Sequence, residues 1–121
     1  MSDRPSYREC DRKLRKARDC IANGCWSVAN PQKWTVCCDR LGLIGREPNE
    51  ALEQALNEIS PRDYTGRRQH SKEETVTGAE MFGFAWNSER FGRRMYVKFV
   101  IHNDHMCVID IHEDDPCKKT R

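Results

Sequence analysis

Met95-Tyr96-Val97-Lys98-Phe99-Val100-Ile101-His102 and, beyond Asn103-Asp104-His105, Met106-Cys107-Val108-Ile109-Asp110-Ile111-His112-Glu113 decide the fold of this chain. Both runs alternate, and successive strand side chains point to opposite faces of a sheet. In the first run Met95, Val97, Phe99 and Ile101 form an apolar row, against Tyr96, Lys98, Val100 and His102. In the second, Cys107, Ile109 and Ile111 are apolar while Asp110 and His112 are polar. Each run is therefore predicted to bury one face and to present a phenol, an amine, an imidazole and a carboxylate on the other. Asn103-Asp104 between them suits a tight hairpin turn, with His102 and His105 flanking its tip.

Upstream, Ala79 to Trp86 reads as a third strand, joined across Asn87 to Gly92, with Phe82, Phe84 and Trp86 on one core-packing face. Three amphipathic helices precede it. Tyr7 to Asn23 carries Cys10, Leu14, Ala17 and Ile21 as a stripe among Arg12, Lys13, Arg15, Lys16 and Arg18, and Gly24 ends it. After an extended piece at Cys25 to Val28, Asn30 and Pro31 are a cap and a first-turn residue for a helix over Gln32 to Leu41, closed by Gly42. Pro48 to Ile59 repeats Ala51, Leu52, Ala55, Leu56 and Ile59, and Ser60-Pro61 stops it. Arg62 to Thr77 is polar and aperiodic and is predicted to be a loop. The expectation is a single α+β domain over residues 1–121, three helices followed by a three-stranded antiparallel sheet, with a flexible lead (1–6) and tail (114–121).

A chain of 121 residues with 37% hydrophobic composition suits one modest core. No stretch approaches the roughly twenty apolar residues of a membrane span, and Met1-Ser2-Asp3-Arg4-Pro5 does not read as a signal peptide, so a cytoplasmic protein is expected. The seven cysteines are odd in number and include the adjacent Cys37 and Cys38, which favours reduced, buried thiols. Cys20, Cys25, His102, His105, Cys107 and His112 lack the paired spacing of a zinc module. Net charge is +2, but residues 1–46 hold ten Lys or Arg against five acids and residues 62–98 hold eight against five, a distribution compatible with a phosphate-rich ligand.

These elements, with particular residues, resemble the MqsR-type toxins of bacterial type II toxin-antitoxin systems, whose fold is related to the RelE-like ribonucleases. The resemblance rests on the basic helix Leu14 to Gly24, on Leu41-Gly42-Leu43, on Ile59-Ser60-Pro61-Arg62-Asp63-Tyr64-Thr65-Gly66, on Tyr96-Val97-Lys98 and on Asp110-Ile111-His112-Glu113. It spans Arg8 to Glu113 through short motifs. The chain departs from the pattern at Gly66, where the family has a lysine whose role would pass to Arg67 or Arg68. It departs again at His112, in place of a terminal-strand lysine, and no glutamine can be matched before Tyr96.

The resemblance implies a RelE-like architecture, cleavage of mRNA without a cofactor or metal, inhibition of translation and growth, and neutralisation by a cognate antitoxin. Attack by the 2′-hydroxyl on its own phosphodiester needs a base, cations for the crowded phosphorane and an acid for the leaving oxygen. Lys98, with Arg67 closing from the loop, would stabilise the phosphate; His112 would carry the proton; Tyr96 would orient or donate; His70 is a second candidate base. Arg68, Lys72, Arg93 and Arg94 are the expected RNA-binding cations. Plainer roles compete: tyrosine is a favoured strand residue, lysine suits a solvated sheet surface, and His112 beside Glu113 would be an imidazole held by carboxylates. Asp110, two residues before His112, shares its face. The rival functional reading is a non-catalytic phage or mobile-element protein that binds a host factor.

Overall fold

The computed structural model describes residues 5–42, 47–65, 69–70 and 79–114. Its elements run α1 (Tyr7–Ala22), β1 (Trp26–Val28), α2 (Pro31–Leu41), α3 (Glu47–Glu58), a 3₁₀ turn (Pro61–Asp63), β2 (Gln69–His70), β3 (Glu80–Ser88), β4 (Arg93–His102) and β5 (His105–Glu113). Ser6 starts α1 with a capping box: its hydroxyl accepts the Glu9 N–H and the Glu9 carboxylate accepts the Ser6 N–H. Asn30 caps α2 through the Lys33 N–H at 3.0 Å, and Gly42 ends it in the left-handed conformation at φ 73°. α3 is closed from outside: the Arg18 guanidinium donates to the Leu56 and Ile59 carbonyls at 3.0 and 2.9 Å.

The class is α+β with three helices, as expected. The sheet is a correction. It is mixed, not a three-stranded antiparallel meander: β1 pairs in parallel with β5, Trp26 opposite Met106 and Val28 opposite Val108, giving four strands in the order β1-β5-β4-β3. The two-residue β2 adds to the outer edge of β3, with Gln69 opposite Met81 and His70 opposite Glu80. Three residues of β1 are too few to show a period, and their sheet partner lies 80 positions away, so only the extended conformation was legible. The expected loop after Arg62 is also corrected within the described residues. Tyr64 bridges Phe84 and is buried edge-on against Phe82 and Phe84, and Gln69–His70 is strand. At the two ends of the described residues Pro5 and Asp114 are buried.

One sheet face takes the helices. Leu14, Ala17 and Ile21 of α1 and Leu52, Ala55 and Leu56 of α3 pack over Phe82, Phe84, Met95, Val97, Phe99, Met106, Val108 and Ile111. Phe99 stacks between Phe82 and Phe84, at centroid separations of 6.4 and 6.0 Å. Trp26 and Trp34 meet edge to face at 6.3 Å where α2 joins the sheet. At about 25 cal/mol per Å², such burial dominates the stability of a domain this size.

The alternation expected for β5 does not hold throughout. Asn103 and Asp104 turn with φ 52° and 60°, as a two-residue hairpin of the right twist requires, and the pairing then runs regularly from His102–His105 to Phe99–Val108. The next pair is Lys98–Asp110, so Ile109 has no partner and forms a β-bulge. The core row of β5 is therefore Met106, Val108 and Ile111, and Cys107 is not on it. An unbroken strand would put Asp110 and His112 on the face of Met106 and Val108, beneath the helices. The bulge moves both to the other side.

Candidate functional site

On the face away from the helices, β3, β4 and β5 form three consecutive cross-strand rungs: Asn87–Arg94, then Ala85–Tyr96–His112, then Gly83–Lys98–Asp110. Beyond the bulge the same face continues with Val100 opposite Cys107, both buried, so the polar rungs border an apolar end. Tyr96, Lys98 and Asp110 are partly buried and His112 is exposed. Tyr96, Lys98 and His112, singled out from the alternation, lie together on two adjacent rungs.

The Tyr96 and His112 rings are 5.2 Å apart, tilted by 31°. Nδ1 of His112 is 2.8 Å from the Glu113 carbonyl oxygen, and a carbonyl only accepts, so the proton of the neutral ring belongs on Nδ1. That leaves Nε2 with its lone pair. Nε2 is 3.6 Å from Asp110 Oδ2, where a carboxylate would stabilise the imidazolium formed after Nε2 takes up a proton. Burial pushes the Tyr96 phenol up to about 12, and the Asp110 carboxylate adds to that effect. Tyr96 thus keeps its proton at physiological pH and acts as a hydrogen-bond donor. Among the described residues Lys98 has no ion-pair partner, which leaves its ammonium available to an anion.

Of the other sequence-derived residues described, Arg94 shares this face on the adjoining rung, whereas Arg93 and His70 do not join it. Arg93 pairs with Glu113 at 3.5 Å and donates to the Phe91 carbonyl. Arg94 is held by the buried Asp114 at 3.0 Å, tying the β4 start to the β5 end. His70 sits on β2, separated from His112 by β3 and β4, and is not brought to the Tyr96–His112 rung. Arg67, Arg68 and Lys72 lie outside the described residues. Among the described residues, no group of three or more His, Cys, Asp or Glu is placed to hold a metal ion, and Cys20, Cys25, Cys37 and Cys38 are free thiols. No helix described is long and apolar enough to cross a membrane.

Two contributors escaped the sequence. A Cβ built on Gly83 would lie 2.8 Å from the Tyr96 hydroxyl, so the phenol rests across a strand position where any side chain would have to displace it. A glycine inside an aromatic-rich strand, Phe82-Gly83-Phe84, is the available signal, since it often marks a close approach. The other is a cavity of about 840 Å³ between α2 and the end of β5, reached by Lys33, Val36, Cys37, Arg40, Asp110 and His112 among others. Among the described residues β1 pairs with β5 only as far as Val108, and Asp110–Glu113 of the edge beyond it lines that cavity. Burial, with the neighbouring Cys38 adding to it, pushes the Cys37 thiol up to about 11, so Cys37 stays neutral in the cavity wall. No protein-family model matches this chain, and no curated protein matches it.

Proposed function

We propose that this protein is a metal-independent endoribonuclease of RelE-like architecture that acts as the toxin of a type II toxin-antitoxin pair. Its substrate is mRNA, its setting the cytoplasm, and its inhibitor a cognate antitoxin. The observation that carries the reading is the Tyr96–His112 and Lys98–Asp110 rungs: a phenol donor, an ammonium with no ion-pair partner among the described residues and an imidazole with a fixed tautomer, side by side outside the core.

In this reading Nε2 of His112 removes the 2′-hydroxyl proton as that oxygen bonds to the adjacent phosphorus. Lys98 and the Tyr96 hydroxyl hold the phosphate oxygens as charge builds in the phosphorane. The bond from phosphorus to the 5′-oxygen then breaks, and that oxygen leaves with a proton supplied by Tyr96 or solvent. The products are a 2′,3′-cyclic phosphate and a 5′-hydroxyl, with no net oxidation. Asp110 is a positioning residue, acting through the charged form of His112.

The test is cleavage of unstructured RNA by purified protein, beside His112→Ala and Lys98→Ala variants shown by circular dichroism to be folded. The reading expects cleavage by the parent and a loss of 10²-fold or more in each variant, on the order of one acid-base or electrostatic contribution. Intact RNA with the parent protein would leave the non-catalytic binding reading in its place. Induction should arrest growth, and His112→Ala should relieve the arrest.

A further inference from the structure

One face of α2 has a polarity that the chemistry at the rungs does not use. Lys33, Val36, Cys37 and Arg40 follow helical spacing and line the cavity beside β5. The stripe is cationic at both ends and apolar between. Lys33 and Arg40 are seven residues apart, about 10 Å along the axis, and neither has an ion-pair partner among the described residues. Val36 is 51% exposed, one of two large hydrophobic side chains so placed among the described residues. Leu41 and Ile111 extend the apolar lining. On the facing wall, Glu113 and Asp114 are already paired with Arg93 and Arg94, and Asp110 faces the neutral His112, so the two cations Lys33 and Arg40 outnumber the one uncompensated carboxylate. His112 and Asp110 line the same cavity, which makes it continuous with the rungs.

We infer that the groove between α2 and the free edge of β5 is an RNA-strand subsite, in which Lys33 and Arg40 take backbone phosphates flanking a base packed on Val36, Leu41 and Ile111. The inference rests on the ribonuclease reading and deepens it. Cations bracketing an apolar floor match a strand whose charge lies on its backbone and whose apolar faces lie on its bases. His112 is exposed and lines the groove, so a nucleotide held there would keep its neighbour's phosphodiester near Nε2. Specificity for the base beside the cleaved bond would then come from this cavity, with Gln32 at its α2 rim as the amide able to read a base edge.

The experiment is fluorescence anisotropy with a short single-stranded 2′-O-methyl RNA, which lacks the attacking hydroxyl, across a salt series. A Lys33→Ala/Arg40→Ala double variant should bind about tenfold more weakly, with a log–log salt slope smaller by about 1.4, from roughly 0.7 for each phosphate that is no longer neutralised. Val36→Glu, which places a carboxylate in the groove on an exposed helix position, should weaken binding comparably. Unchanged affinity and slope in the folded double variant would overturn the groove assignment. So would an oligoglutamate peptide that binds in a Lys33- and Arg40-dependent way while the RNA does not, which would make this a protein-docking face. A parent protein that binds the 2′-O-methyl RNA through α2 yet leaves unmodified RNA intact would uphold the groove and refute the nuclease.

Discussion

Replacing Glu58 tests how the sheet is locked to the helical layer. Its carboxylate, at the end of α3, accepts from Trp86 Nε1 at 3.0 Å, Ser88 Oγ at 2.6 Å, and the Glu89 and Arg90 N–H groups at 2.8 and 2.9 Å. Trp86 and Ser88 are buried, so Glu58→Ala would strand two donors with poor access to water, whereas the two turn amides are exposed and can hydrate. At roughly 1 to 1.5 kcal/mol for each stranded donor, the loss is about 2 to 3 kcal/mol. For a domain of this length that lowers Tm by on the order of 10 °C.

The same carboxylate sets a pH dependence. Burial works against the charged form of Glu58, but the hydrogen bonds from Ser88, Trp86 and the two turn amides outweigh it and hold the carboxyl below its ordinary value of 4.5. A carboxyl depressed in the folded state contributes stability above its unfolded pKa, and that contribution disappears as pH falls through the folded value. Thermal melts of the parent should therefore lose stability on acidification below about pH 4.5, and Glu58→Gln, which keeps one acceptor, should show a shallower acid limb. Equal melting temperatures for parent and Glu58→Ala at pH 7, or parallel acid limbs for parent and Glu58→Gln, would refute this account of the clamp.

Other outcomes follow from the sheet. Gly83→Ala should leave the protein folded but displace the Tyr96 hydroxyl, lowering RNA cleavage on the order of 100-fold; unchanged turnover would mean the phenol's pose is immaterial. Deleting Ile109 removes the unpaired residue and leaves Val108, Asp110, Ile111 and His112 alternating on the faces they already occupy. A folded variant is expected, less stable by about 1 kcal/mol from the lost partly buried side chain, with its imidazole still beside Tyr96. Amide and ring chemical shifts report this directly, and a protein unfolded by the deletion would argue that the bulge itself holds the strand.

Much of the fold was legible because its determinants are local. Asn30-Pro31 and Gly42 bound α2, the stripe of α1 is buried, and Asn103-Asp104 turns the hairpin. What escaped depends on distant partners. β1 is a strand by virtue of Met106–Val108, and nothing within Trp26–Val28 announces that pairing. The β5 row is instructive: alternation alone puts Cys107 and Ile109 on the core face with Ile111, yet Met106 and Val108 occupy it. Both isoleucines and the cysteine are apolar, so pattern alone does not reveal where a strand takes an extra residue. Asp110 and His112 reach the expected face because that extra residue lies before them. For the candidate site, residues two apart on β4 were certain to share a face, whereas the approach of Tyr96 to Gly83 and the groove beside α2 exist only after packing.

End-group analysis of RNA treated with the purified protein in excess chelator tests the central proposal most directly, using a substrate carrying one 2′-deoxy nucleotide at the preferred cleavage position as the control. A cyclic 2′,3′-phosphate and a 5′-hydroxyl from the all-ribose strand, no cut at the deoxy position, and the same products formed at least about 100-fold more slowly by Lys98→Ala or His112→Ala are the results expected of the Tyr96–Lys98–His112 face. Cleavage that persists at the deoxy position, or that the folded His112→Ala variant retains at the parent rate, would contradict it.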